Sequence, residues 1–389
     1  MGKKKINTVV VLTSYPKRIR SVHRVIEGLF NQVNNADEII LYLSTLEFPQ
    51  KERNLPKELL NLIGQNGFRI VWVEENLKSH KKYYYALQDM HDSIVITVDD
   101  DVIYSETMVS DLMESYKNFP YAISARRTRI VLRENGQIAK YSDWDGSMDE
   151  YAGIPRKDLC AIGVGGVLYP PHCASKDWFI KENLMSLAEC QDDLWLKYNE
   201  IKEEIPVVYV RNSKKDKLIE ECKETALYTH NLNGSGNDVC INKLCEYVKN
   251  QPIREYEEWF AELMQKEDYI EQKKRYYKEK IHKTFKHIKV KNIYLYGAGV
   301  RAKKIIAILF DFGLKEKIEA IIVSDKQNNP SVLEGIEVKQ IDEIDQSSEF
   351  GVIFGVSDAY RNEVTELLKQ YNCRIIDINF QGILRYYTI

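Results

Sequence analysis

The sequence predicts an α/β protein on three observations. Short β-branched runs alternate with amphipathic stretches up to about residue 230, the same alternation resumes after a basic stretch without glycine, and 389 residues are enough for two or three domains. Strands are expected at 8–12, 38–43, 69–73, 93–98 and 122–125. Between the first two, residues 19–31 place Val22, Val25, Ile26 and Leu29 on one face at spacings of three and four, which gives a β-α-β start. Residues 181–197 read as helical around Leu184, Leu187, Leu194 and Trp195, with a strand at 206–210.

Glycine is absent from 246–292, and within 272–291 nine Lys/Arg face one acid, interleaved with Tyr276, Tyr277, Ile281, Phe285 and Ile288. This stretch reads either as a solvated linker helix or as a basic, aromatic helix held against anionic lipid headgroups. A second α/β unit comes next: a strand at 293–296, a helix at 300–312 with Ala302, Ile305, Ile306 and Leu309 on one face, a strand at 318–323, and further alternation through 351–355, 358–371 and 374–378. The expected organisation is a first domain over 1–245, a helical basic connector over 246–291 and a smaller α/β domain over 292–389.

Composition narrows the function classes. With 55 Lys+Arg against 58 Asp+Glu the net charge is −3, which argues against a nucleic-acid binder. No run of about 18 uncharged apolar residues is present, and Met1-Gly-Lys-Lys-Lys lacks the apolar core of a signal peptide, so a cytoplasmic location is expected. Seven cysteines without a C-x-x-C pair suggest neither a disulfide framework nor a zinc site.

The main chemical signal is Ile94-Val-Ile-Thr-Val-Asp99-Asp100-Asp101, a buried strand ending in three carboxylates. Adjacent acids repel one another and have no role in a core, so this strand end points to a cation site holding Mg²⁺ or Mn²⁺ with a diphosphate. Phosphatases with an aspartyl nucleophile and nucleotide-sugar transferases both use such carboxylates. Val102-Ile103-Tyr104 lacks the small polar residue that the phosphatase pattern has after its second acid.

Further motifs occur in order: Thr13-Ser-Tyr-Pro-Lys-Arg-Ile19, Lys81-Lys82, Tyr141-Ser-Asp-Trp144, Gly163-Val-Gly-Gly-Val-Leu-Tyr-Pro-Pro171, Gln191-Asp-Asp-Leu-Trp195 and Gly236-Asn-Asp238. Together with the acidic triplet they resemble bacterial GT-A nucleotide-sugar glycosyltransferases of the family 2 type, which act in surface polysaccharide biosynthesis. The resemblance covers nearly all of 7–245. It implies a nucleoside-diphosphate sugar donor, UDP favoured, and transfer to a hydroxyl of a glycan or lipid-linked glycan with inversion.

Under that resemblance Thr13, Ser14, Tyr15, Arg18, Glu75, Lys82, Asp99, Asp100, Gly165 and Gly166 bind the donor. Asp101, Asp99 and His230 hold the metal, Trp144 offers a platform to the acceptor sugar, and Asp193 is the base, with Asp192 orienting the acceptor or the loop. Lys78 and Lys81 are expected to face solvent, and Asn237-Asp238 to cap the following helix.

In the last domain, Gly297-Ala-Gly299-Val-Arg-Ala302 between a strand and a helix, with Asp325 after the next strand, has the context of a nucleotide site. It resembles Rossmann-like domains fused to bacterial polysaccharide enzymes. A bound nucleotide and a scaffold for homo-oligomers are both open readings, and an NAD(P)- or sugar-nucleotide-binding oxidoreductase or regulatory module is the alternative for the whole chain. A peripheral position at the inner face of the plasma membrane is the expectation attached to the basic stretch.

Overall fold

The computed structural model describes residues 6–146, 148–225 and 236–387, and within them the chain separates into two compact units that meet at Lys266/Glu267. In the first unit the strands are β1 (Thr8–Thr13), β2 (Glu38–Ser44), β3 (Phe68–Val73), β4 (Ile94–Thr97), β5 (Ile123–Ala125), β6 (Pro155–Arg156), β7 (Val167–Tyr169) and β8 (Val207–Tyr209). They form one sheet in the order β6-β8-β5-β7-β4-β1-β2-β3. β1 pairs in parallel with β2 and β4, and β2 with β3. β7 alone runs against both of its neighbours, with Val167 opposite Thr97 and Tyr169 opposite Val95.

The apolar runs explain these strands. β1, β2 and β4 are buried almost throughout, as parallel strands covered on both faces must be. Helix α1 (Val22–Phe30) buries Val22, Val25, Ile26 and Leu29 against Leu12, Leu41 and Phe68. Each such side chain contributes about 1.5–3 kcal/mol on leaving water. Helices α2 (Lys81–Asp89) and α3 (Met108–Asn118) follow β3 and β4.

The helix expected over 181–197 is two helices, α4 (Lys181–Ala188) and α5 (Asp192–Lys202). Gln191 leaves helical geometry between them, at φ −114° and ψ 60°. Buried His80 occupies the Ala188 carbonyl through Nε2 at 2.7 Å. The break makes Asp192 and Asp193 the first turn of a helix, where the macrodipole favours negative charge.

After helix α6 (Gly236–Lys249), residues Met264–Gln265 pair in parallel with Leu132–Arg133, so the chain up to this point stays with the first unit. Helix α7 (Lys266–Lys286) then sends Ile281 into the core of the second unit beside Ile293, Leu309 and Phe312. Residues 246–291 are thus divided between the units by which core their apolar side chains enter.

The second unit has strands β9 (Ile293–Tyr296), β10 (Ala320–Val323), β11 (Val332–Leu333), β12 (Ile336–Gln340), β13 (Phe350–Phe354) and β14 (Cys373–Ile375), in the order β11-β12-β10-β9-β13-β14. All pairs are parallel except β11 with β12. Helices α8 (Val300–Asp311) and α9 (Arg361–Leu368) cover its faces. Among the described residues no helix is long and apolar enough to cross a membrane.

Ile281 is 2% exposed. Ile281→Ala is therefore expected to cost about 2–5 kcal/mol, read as a lower urea midpoint for the second unit. A side chain on a solvated linker would change stability by less than about 0.5 kcal/mol.

Candidate active site at the carboxyl edge of the sheet

Because β1, β2, β3 and β4 are parallel, their carboxyl ends line one edge of the sheet, where a crevice forms in open α/β folds. β7 runs the other way, so its amino end and the preceding turn Gly163–Gly165 arrive at that same edge. The strand reversal thus sets a glycine turn beside the acidic end of β4.

The three acids part company there. Asp100 turns inward, accepting from Ser14 Oγ at 2.6 Å and Arg18 at 2.8 Å, and is 5% exposed. Burial pushes its pKa up, against the pull of Arg18. Arg18 also reaches Asp101 Oδ2 at 3.0 Å. Against the burial that opposes its charge, these two carboxylates hold the Arg18 guanidinium ionised. Asp101 keeps Oδ1 buried without a hydrogen-bond partner, and its pKa is pushed up to about 6 by burial and by the neighbouring Asp99.

Asp99 faces a second group. Its Oδ1 accepts from Lys82 Nζ at 2.8 Å, and Lys82 Nζ also lies 2.8 Å from Asp192 Oδ2. Burial opposes the Lys82 charge, but Asp192, Asp99 and Asp193 together raise its pKa well above the ordinary value. Asp192 is lowered: its burial is outweighed by Lys82, with further help from His80 and the Ser79 hydroxyl. Asp193 goes the other way, pushed up to about 8 by burial and by the Asp192 charge, while its Oδ1 accepts from Gly163 N at 3.0 Å.

A Cβ on Gly163 would sit 2.8 Å from Lys82 Nζ, 3.2 Å from Asp193 Oδ1 and 3.5 Å from Asp99 Oδ1. A side chain there would force Lys82 Nζ to shift from its place between Asp99 and Asp192. Tyr104 closes the other side, its hydroxyl 2.9 Å from the Asp99 amide, whose hydrogen bond it accepts. With Lys82 7% and Asp99 27% exposed, Asp99 is the more open member.

The start of α2 is held from beneath. His80 Nε2 must carry the proton it donates to the Ala188 carbonyl, so Nδ1 accepts from Tyr83 Oη at 2.8 Å. Burial keeps this imidazole neutral. Lys81, expected in solvent, is 1% exposed and binds Glu47 at 2.6 Å and Asn76 Oδ1 at 2.9 Å. The helical turn points Lys81 and Lys82 to different acids, so both are buried cations with partners, while Lys78 is exposed.

Other expected residues fall elsewhere. Thr13 donates its hydroxyl to the Tyr42 carbonyl at 2.8 Å, and Tyr15 lies under the Arg18 guanidinium at 5.7 Å. Glu75 is at the surface, paired with Lys181 at 2.5 Å. Gly165 and Gly166 face away from the carboxylates. A Cβ on Gly165 would meet Arg127 at 2.6 Å, and Gly166, at φ +84°, abuts Met108.

Trp144 is 2% exposed and donates Nε1 to the Ala139 carbonyl at 3.0 Å, so its ring is core and presents no face to a sugar. Asp238, in the first turn of α6, accepts from the Tyr141 amide at 2.7 Å rather than from its own helix. His230 lies outside the described residues.

In the second unit Gly297 has φ +102°, and a Cβ there would lie 2.7 Å from Val356. Gly299 precedes α8 with open space around it, and Asp325 is exposed after β10, accepting from the Gln327 amide at 2.9 Å.

No protein-family model matches the chain, and no curated protein does. Among solved structures, a UTP-bound UGPase from Acinetobacter baumannii aligns at 12% identity and TM-score 0.33, over 64% of this chain and 95% of that one. TarS from S. aureus aligns at 13% identity and TM-score 0.38, over 65% of this chain and 41% of that one. A 4-diphosphocytidyl-2C-methyl-D-erythritol synthase from Anaerococcus prevotii aligns at 12% identity and TM-score 0.35, over 59% and 96%. These likenesses are distant, and the arrangement of the acids is the firmer guide to the chemistry of the site.

Of the residues expected at the site, Lys82, Asp99, Asp192 and Asp193 come together, and Gly163, Tyr104, His80 and the Lys81–Glu47 pair join or brace them without having been expected there. The buried salt link gives a direct test. Lys82→Met should destabilise the protein by about 3–5 kcal/mol at pH 7, because Asp192 is left buried without its cation. Asp192 has a lowered pKa, so its stabilisation exists above the unfolded carboxylate value and is lost as pH falls through the folded one. The difference between the two proteins in thermal melts should therefore close as the pH drops below about 4.

Proposed function

We propose that the chain is a metal-dependent glycosyltransferase that moves a sugar from a nucleoside diphosphate, UDP favoured, to a hydroxyl of a bacterial surface glycan or lipid-linked glycan. The observation that carries this reading is the joining, through Lys82 and Gly163, of an acidic strand end to Asp193, a carboxyl that burial and the Asp192 charge push up to about 8. One half of the cluster suits a diphosphate and its cation, the other a proton transfer.

For the cation, Asp99 and Asp101 supply hard oxygen ligands, and the orphaned Asp101 Oδ1 is an atom that a divalent ion would satisfy. No third His, Cys, Asp or Glu among the described residues completes a ligand cluster with them. Donor diphosphate oxygens and His230 are the proposed remaining ligands of Mn²⁺ or Mg²⁺. When bound, the ion supplies positive charge to the departing nucleoside diphosphate. Lys82 adds a fixed cation on the same side.

The acceptor hydroxyl oxygen forms the new bond to the anomeric carbon as the bond from that carbon to the diphosphate oxygen breaks. The diphosphate leaves with the electron pair, and Asp193 takes the hydroxyl proton. Attack opposite the leaving group inverts the anomeric centre. Asp192, locked to Lys82, holds the first turn of α5 and with it the position of Asp193. Thr13 and Tyr15, at the end of β1, are proposed to line the nucleoside side, with Ser14, Arg18 and Asp100 bracing that loop from within. Assembly through the second unit and contact of its basic helix with anionic lipid are parts of the same proposal.

Asp193→Asn keeps the acceptor for the Gly163 amide and loses the base. Transfer, followed as release of nucleoside diphosphate with Mn²⁺ present, should fall by about 10²–10⁴-fold while donor binding by calorimetry survives. Retention of full turnover would remove Asp193 as base. Asp101→Ala should abolish the metal response of donor binding.

The pH profile adds an independent sign. kcat/KM should rise toward pH 8 as Asp193 sheds its proton. A carboxyl with a raised folded pKa contributes stability that is present at low pH and is lost as pH climbs through about 8. Asp193→Asn should flatten that decline, melting at or above the wild-type temperature at pH 8. A thermal-shift series with UDP-, GDP- and CMP-sugars identifies the donor base.

A further inference from the structure

The β4/β7 pair has a second end. Antiparallel pairing of Val95 with Tyr169 means that the chain entering β4 lies beside the chain leaving β7, on the edge of the sheet away from the acidic triplet. Three ligating side chains meet there: His91 and Asp92, just before β4, and His172, just after β7. Their ligand atoms lie within 4.8 Å of one another, and no other group of three His, Cys, Asp or Glu among the described residues does the same.

Three features make this more than a chance surface cluster. The His172 amide donates to the His91 carbonyl at 3.0 Å, which ties the two segments directly beneath the side chains. Pro170 and Pro171 stiffen the exit from β7, and His172 itself sits at φ +60°, a left-handed conformation that aims its ring back across the pair. His172 Nε2 lies 3.0 Å and His91 Nε2 3.8 Å from the same Asp92 oxygen, Oδ1, and the two rings stand 5.3 Å apart at 60°. Metal bonds of about 2.0–2.1 Å in a tetrahedron put ligand atoms about 3.3–3.4 Å apart, a value that falls between those two distances.

We infer that His91, Asp92 and His172 form a solvent-open binding site for an imidazole-preferring divalent cation of the Zn²⁺ class, separate from the carboxylates at Asp99 and Asp101. Two imidazoles and one carboxylate select a borderline ion over Mg²⁺ or Ca²⁺, which prefer oxygen. Three protein ligands leave coordination positions for water, and the ion clips the entry of β4 to the exit of β7. This cation site is independent of the proposed transferase activity.

The test uses the full chain without an affinity tag, with its thiols reduced and excess Mg²⁺ present to occupy oxygen sites. Co²⁺ is titrated and followed by its visible d–d absorption, with Zn²⁺ as competitor. One saturable equivalent is expected, without a thiolate charge-transfer band, displaced by Zn²⁺ and accompanied by a melting temperature that rises with Co²⁺ concentration. His172→Asn, a residue that tolerates the left-handed backbone, should keep the metal-free melt of the wild type. It should weaken Co²⁺ binding by at least about 100-fold, more than loss of an outer-shell partner alone would. His91→Ala should do the same. No saturable equivalent, unchanged affinity in both variants, or a signal that disappears when cysteines are alkylated would overturn the site.

Discussion

One buried ammonium organises the candidate active site. Lys82 Nζ lies 2.8 Å from carboxylates that belong to different parts of the chain, Asp99 at the end of β4 and Asp192 at the start of α5. A cation at this depth is held only because the acids around it return more than its burial takes away. Its presence sorts the neighbouring acids electrostatically. Asp192 stays ionised beside it, and Asp193, next in sequence but facing the charge of Asp192, is pushed toward the protonated form. Two adjacent residues of one type are thereby given opposite protonation tendencies, the condition that separates a positioning carboxylate from a proton acceptor.

The backbone makes this possible through a single reversal. β7 is antiparallel to both of its neighbours in a sheet whose other central pairs on the β4 side are parallel. The amino end of β7 carries Gly163 to the acidic end of β4, where a side chain would strike Lys82. Its carboxyl end carries His172 to His91 and Asp92. The chemistry at both edges is therefore set by one strand pairing, and a slip of its register would separate both groups of side chains at once.

Much of the fold was legible beforehand because its strands are near-continuous apolar runs and its crossover helices have a clear face. β1, β2, β3 and β4, α1, and the first β-α-β of the second unit fall where periodicity puts them. The two-residue strands were not legible, and neither was β12. β6, β11 and the pairing of Met264–Gln265 have two residues each, and β12 mixes Glu337 and Lys339 with its apolar positions. The break between α4 and α5 has no Gly or Pro to announce it, since it depends on His80, more than 100 residues earlier, capping Ala188.

The sequence by itself determined that an acidic strand end, a Lys-Lys pair, a glycine turn and an Asp-Asp pair exist, because each is a local pattern whose residue types are unusual where they stand. Tertiary structure decided how they are shared out. Asp100 with Ser14 and Arg18 braces the loop, Asp99 with Lys82 faces the crevice, Lys81 goes to Glu47, and Trp144 goes to the core. The physical reason is that pairing and burial are properties of neighbours in space. Two lysines or two aspartates side by side in the chain are equivalent until helix geometry turns them toward different partners.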